Sequence, residues 1–64
     1  MYFNYHAKAK RLIKEGELID YKIVDNYNNI SPCLLLIFKN HKPMPIRKHR
    51  FNEYFEIFEE LNLL

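Results

Sequence analysis

The 64-residue chain has one cysteine, one glycine, three prolines and no tryptophan. A lone Cys33 excludes an internal disulfide framework, and no Cys or His residues fall in the short paired spacings of a structural zinc site. A chain of this size hides only about 60% of the surface its unfolded form exposes. Without either staple, self-association is the remaining source of added stability. The longest apolar run, Cys33 to Phe38, is far shorter than a membrane span. The opening Met-Tyr-Phe-Asn-Tyr-His has no cationic start ahead of an apolar stretch, so no secretory leader is read there. These absences, with a single unpaired thiol, lead to the expectation of one domain over residues 1–64, cytoplasmic and off the membrane. There is no repeat, low-complexity tract or linker.

What the chain does have is aromatic mass and blocked charge. Five Tyr and five Phe can fill a small core and also favour interfaces. Lys8, Lys10, Arg11 and Lys14 form a first basic block, answered by Glu15, Glu17, Asp20 and Asp25. Lys39, Lys42, Arg47, Lys48 and Arg50 form a second, answered by Glu53, Glu56, Glu59 and Glu60. The blocks create local fields, whereas a net charge of +2 argues against a protein that coats nucleic acid indiscriminately.

At about 100° per residue, positions 2–15 place Tyr2, Tyr5, Ala9, Leu12 and Ile13 on one side and Lys10, Arg11 and Lys14 on the other, an amphipathic helix. Asn4 suits its N-cap, and Gly16 suits the left-handed residue that ends it. From Glu17 the period becomes two. Ile19, Tyr21 and Ile23 then fall on one face of a half-buried strand, with Asp20 and Lys22 between them and Leu18 and Val24 on the second face. Asp25, Asn26, Asn28 and Asn29 form a turn cluster around Tyr27.

Cys33 to Phe38 is apolar at every position and reads as a central strand covered on both faces. Lys39 to Lys42 forms the next turn, although glycine is the commoner residue after Asn40. Pro43 and Pro45 share parity, so their missing N–H groups lie on one side, and the strand must be an edge with Met44 and Ile46 pointing inward. Phe51, Tyr54, Phe55, Phe58 and Leu61 recur at helical spacing opposite the four glutamates, with Asn52 as a candidate cap. The predicted fold is α+β: a three-stranded antiparallel meander with an N-terminal and a C-terminal helix, in the order α-β-β-β-α. If both helices cover one face, Leu18, Val24, Cys33, Leu35 and Ile37 leave an apolar patch on the other. That patch is the candidate self-association surface of a homodimer.

The series Asn4-Tyr5-His6-Ala7-Lys8-Ala9-Lys10-Arg11-Leu12-Ile13, then Ile30-Ser31-Pro32, the apolar strand, Pro43-Met44-Pro45-Ile46-Arg47 and the closing aromatic helix, spans nearly the whole chain. It resembles a family of short bacterial proteins of unknown function, some of which carry a thermostable haemolysin (delta-VPH-like) label. The resemblance implies no catalytic, cofactor or metal residue, and a lytic role would also need export.

Individual residues favour binding over catalysis. Lys39, Lys42, Arg47, Lys48 and Arg50 are the candidate phosphate or nucleic-acid contacts. Strand alternation, continued through Arg50, divides Arg47 and His49 from Lys48 and Arg50 and weakens a single-surface reading. Cys33 in an apolar strand reads as a small buried hydrophobe rather than a nucleophile served by His6, His41 or His49. His6 reads as a packed histidine bonded to a tyrosine or to backbone. The tyrosines read as core rather than as a stacking platform for bases. Basic and acidic helix faces can lie together, at a gain of about 0–1 kcal/mol per exposed pair. No carboxylate pair is arranged for acid and base work, and no cofactor, metal or catalytic role is expected. The favoured expectation is a non-catalytic interaction or regulatory module that self-associates and has a protein partner. The alternative is a nucleic-acid-binding module using the segment Lys39 to Arg50.

Overall fold

The computed structural model describes residues 4–64, so Tyr2 and the start of the predicted helix at residue 2 lie outside the described residues. The order is α1 (Tyr5–Lys14), β1 (Leu18–Val24), β2 (Cys33–Phe38), β3 (Met44–Arg47), a 3₁₀ turn (Lys48–Arg50) and α2 (Phe51–Glu60). The strands make one antiparallel sheet in the order β1-β2-β3, the predicted α+β meander between two helices.

Local chemistry accounts for the ends of α1. The Asn4 side chain accepts from the Ala7 amide at 3.0 Å, satisfying an otherwise orphan donor. At the other end Gly16 takes φ +82°, the Gly16 amide donates to the Ile13 carbonyl and the Glu17 amide to the Leu12 carbonyl. That pair of bonds is a Schellman closure, and it needs the left-handed residue that glycine supplies without strain. Helix α2 closes the same way with Asn62 at φ +60° and the Leu63 amide on the Phe58 carbonyl at 2.7 Å. Its start differs from expectation. The 3₁₀ turn runs straight into Phe51, so Asn52 lies inside the helix, and the capping position is Arg50, whose side chain makes no capping bond.

Between β1 and β2, Asn28 and Asn29 both have positive φ, and Tyr27 and Ile30 exchange two backbone hydrogen bonds of 2.9 and 3.0 Å. Two consecutive left-handed residues are the geometry of a tight hairpin turn, which asparagine tolerates. The Asn26 side chain accepts from the Asn29 amide, Ser31 Oγ donates to the Asp25 carbonyl, and the Ser31–Pro32 peptide is cis.

Both helices pack on one face of the sheet. Ala9, Leu12 and Ile13 of α1 and Tyr54, Ile57 and Phe58 of α2 share a core with Leu34, Leu36 and Phe38 of β2 and Met44 and Ile46 of β3. Leu18 and Tyr21 of β1 pack against the same cluster. The pairing of β1 with β2 skips a residue between Leu18 and Asp20, a bulge at Ile19. The bulge shifts the pleat by one position, so Leu18 turns to the core instead of the second face predicted for it.

The proposed apolar patch is therefore smaller than expected. Cys33 is fully buried and Leu35 nearly so within a single chain, leaving Val24 and Ile37 half-buried on that face. Apolar exposure moves instead to β1, where Ile19 is 60% and Ile23 57% exposed. The period of two places both on one face with Tyr21. Ile19 is instead the unpaired residue of the bulge, and Ile23 is exposed near the end of the same outer strand.

Candidate functional site

Proline decides the character of the β3 edge. Pro45 has no N–H to offer outward, and its outward carbonyl accepts the Tyr5 hydroxyl at 3.1 Å. The bond anchors the first turn of α1 to the edge strand. Burial pushes the Tyr5 phenol up to about 12, so it remains a neutral donor at any physiological pH.

Two open clefts flank this bond, and Tyr5 and Pro45 line both. The first, about 350 Å³, is walled by His6 of α1, Ile30 of the β1–β2 connection, Arg47 at the end of β3, and His49 and Arg50 of the 3₁₀ turn. The second, about 480 Å³, is walled by Lys8, His41, Lys42, Pro43 and Met44. Among the described residues, no carboxylate side chain lines either cleft. Lys42 and Arg47 are five residues apart, so they mark the ends of a strip roughly 17 Å long at the rise of an extended chain.

The structure changes the expected division of the basic segment at Arg50, which joins Arg47 and His49, while Lys48 stays apart from them. Extended backbone stops at Arg47, and the next three residues coil into a 3₁₀ turn, so alternation no longer governs their directions. Arg47, His49 and Arg50 converge on one cleft and Lys42 lines its neighbour, whereas Lys39 and Lys48 line neither. His49 belongs to the basic segment read as a phosphate site, whereas Tyr5 and His6 of α1 are not among the residues that the sequence suggests for this surface. A signal exists in the unbroken cationic run Arg47-Lys48-His49-Arg50, but the convergence of three of its members depends on the turn.

Beneath the first cleft lies a polar network that joins the helices. His6 Nδ1 and the Tyr54 hydroxyl are 2.7 Å apart. Tyr54 is fully buried, and burial raises its pKa well above the usual range, so the phenol keeps its proton and needs an acceptor. Tyr54 therefore donates to Nδ1, and the neutral imidazole carries its proton on Nε2. Burial, reinforced by the Arg50 guanidinium and opposed by the Glu53 carboxylate, holds His6 below its ordinary value of 6.5. Glu53 accepts from Lys10 Nζ at 2.7 Å, and this hydrogen bond holds its carboxyl below the usual carboxylate value. Arg50 reaches the same carboxylate only at 3.3 and 3.5 Å, so Glu53 is chiefly engaged by Lys10. The Lys10–Glu53 pair bridges the basic face of α1 and the acidic α2, as charge blocking suggests, although solvent screening leaves such an exposed pair little weight in stability.

The His6 environment sets a pH dependence. A histidine whose folded pKa lies below its unfolded value stabilises the fold fully above about pH 6.5, and this contribution fades as pH falls through the folded pKa, because the unfolded chain binds the proton first. Glu53 adds a loss of the same sign, but only below its ordinary 4.5. Urea midpoints are therefore expected to drop between pH 7.5 and 5.5 in the wild type and to change less in His6→Asn. Equal slopes in the two proteins would show that His6 is not the group responsible.

Other sequence-level candidates resolve differently. Cys33 is free and fully buried, as a small hydrophobe is. Tyr21 stacks on Phe58, with ring centroids 4.3 Å apart, and Tyr54 is internal, so neither presents a face to a base. Among the described residues, no three His, Cys, Asp or Glu side chains group as metal ligands, and no helix is long and apolar enough to cross a membrane. No family model, curated protein or solved structure matches the chain.

Proposed function

We propose that this chain is a non-catalytic nucleic-acid-binding module that holds the phosphate backbone along the β3 edge. The supporting observation is the convergence of Arg47, His49 and Arg50 on one side of the Tyr5–Pro45 bond, and of Lys8, His41 and Lys42 on the other, with no acid among the described residues that line either cleft. The geometry favours this reading over the apolar self-association face, because Cys33 and Leu35 are already covered within one chain and Leu18 belongs to the core. The clefts are open and shallow, suited to a charged chain lying across them rather than to a shielded reaction centre. Lys48, His49 and Arg50 also precede the positive end of the α2 dipole, where Glu53 of the first turn is the nearby acid and is already held by Lys10.

Recognition on this edge is by charge and not by base identity. Tyr5 is tied down through its hydroxyl and meets the His6 ring edge-on at 5.2 Å, so it offers no free stacking platform. The expected ligand class is DNA or RNA of any sequence, held at this one local strip and not by a generally cationic surface, which the net charge of +2 does not provide, in the roughly 10⁻⁴–10⁻⁶ M range of non-specific complexes. Anisotropy of a labelled duplex, titrated at several salt concentrations, tests the reading. Three or four phosphate contacts give a slope of about −3 in log K against log salt. Absence of binding at low salt, or a slope near zero, would overturn it.

A further inference from the structure

The two outer edges of the sheet are not equivalent. The β3 edge is stopped by Pro45 and by the Tyr5 hydroxyl on its carbonyl. The β1 edge contains no proline, and its exposed side chains include Ile19 and Ile23. An open edge with exposed apolar residues is a template for another strand. We infer that β1 pairs antiparallel with β1 of a second copy, about a two-fold axis through Tyr21, to form a closed dimer with one six-stranded sheet.

The backbone states which residues face outward. The Tyr21 amide donates to the Asp20 carboxylate at 2.8 Å instead of into the sheet, so Tyr21 is an outward-facing residue. Hydrogen-bonding direction alternates along an antiparallel strand, which makes Ile23 outward as well and places Asp20, Lys22 and Val24 in the ladder with β2. In the pairing centred on Tyr21, the two Tyr21 residues exchange their backbone bonds, and each Asp20 carboxylate releases its own neighbour's amide.

Charge selects this register. The strand reads Leu-Ile-Asp-Tyr-Lys-Ile-Val, so a two-fold at Tyr21 sets Asp20 opposite the second copy's Lys22, twice, and Ile19 opposite its Ile23. Moving the centre one residue either way still brings outward groups together but sets Asp20 against Asp20 or Lys22 against Lys22. Directly opposed like charges destabilise a strand pair. The hollow bounded by Leu18, Ile19, Asp20, Tyr21 and Leu63, about 450 Å³, lies where the second copy's Ile23 arrives, with Asp20 left to meet the second copy's Lys22. The bulge at Ile19 limits the regular ladder to the centre of the strand. Because the β3 edge is blocked, the pairing closes at two copies instead of continuing as a fibre. It also leaves both cationic grooves on the outer edges, roughly 24 Å apart across five strand spacings. The dimer does not depend on what those grooves bind.

Sedimentation equilibrium of the full chain and of two charge variants tests the pairing. The wild type, a chain of 7.9 kDa, is expected to sediment as a dimer at 100 μM or below on this scale of self-association. Lys22→Glu sets acids opposite acids, and Asp20→Lys sets bases opposite bases. Each variant alone is expected to weaken the dimer about tenfold or more. An equimolar mixture of the two regains opposite charges at both pairs and is expected to dimerise again, a rescue that general misfolding cannot produce. A monomeric wild type, single variants that dimerise unchanged, or a mixture that stays dissociated would each overturn the proposal.

Discussion

Phe58→Ala is expected to leave most of the chain unfolded at 25 °C. Phe58 is fully buried at the centre of the single core, stacked on Tyr21 at 4.3 Å and in tilted contact with Phe55 at 6.1 Å. Truncating a buried Phe costs about 3–5 kcal/mol in transfer and cavity terms, and loss of the aromatic pair adds about 0.5–1.5 kcal/mol. A core of this size rarely supplies more than about 3–5 kcal/mol in total, so the substitution removes most or all of it. The effect spreads because Phe58 is also a backbone junction. Its carbonyl accepts from Leu63, and the Leu63 carbonyl accepts the Tyr21 hydroxyl at 2.6 Å, so the aromatic stack ties β1, α2 and the C-terminal residues together. Phe58→Leu keeps most of the volume and is expected to stay folded, as is Phe55→Ala at a half-buried site on the same helix. Far-UV circular dichroism with urea titration separates the three proteins. A folded Phe58→Ala with a wild-type midpoint would mean that the core is not where stability resides.

The elements legible in the sequence are those in which one residue type answers one geometric demand. Gly16 at the end of α1 and Asn4 at its start meet backbone needs that few residues satisfy, and both do what they were read to do. Pro43 and Pro45 predict an edge because a missing N–H cannot sit inside a ladder, and β3 is an edge. An uninterrupted apolar run predicts a central strand, and Cys33–Phe38 is central. Phase changes were not legible. The bulge at Ile19 turns Leu18 toward the core without any glycine to announce it, and a period-two reading carried through it misplaces both Leu18 and Ile19. The 3₁₀ turn at Lys48–Arg50 likewise has no proline or glycine to mark the end of β3. Extending the strand through it separates Arg50 from Arg47 and His49, which the turn brings to one cleft. The site was visible as composition, and its convergence depended on a backbone change that composition does not encode.

That convergence gives the second large effect. The double reversal Arg47→Glu with Arg50→Glu is expected to weaken duplex binding about 30-fold at 0.1 M salt, if each lost contact and added repulsion together are worth roughly 1 kcal/mol. The salt slope should fall by about one for each phosphate contact removed. Each reversal removes two units of charge, taking the formal net charge from +2 to −2. A control with the same total is Lys39→Glu with Lys48→Glu, since neither lysine lines either of the two clefts beside the Tyr5–Pro45 bond. If binding follows net charge alone, the two double variants lose affinity equally and the groove is not the interface. If the cleft is the interface, the control keeps most of its affinity and its salt slope. Arg50→Glu also places a second acid beside Glu53, so circular dichroism must first show that both variants are folded. Arg47, which makes no ion pair with a described residue, then gives the cleanest single measurement: Arg47→Glu alone should lose about fivefold, through the ligand and not through the fold.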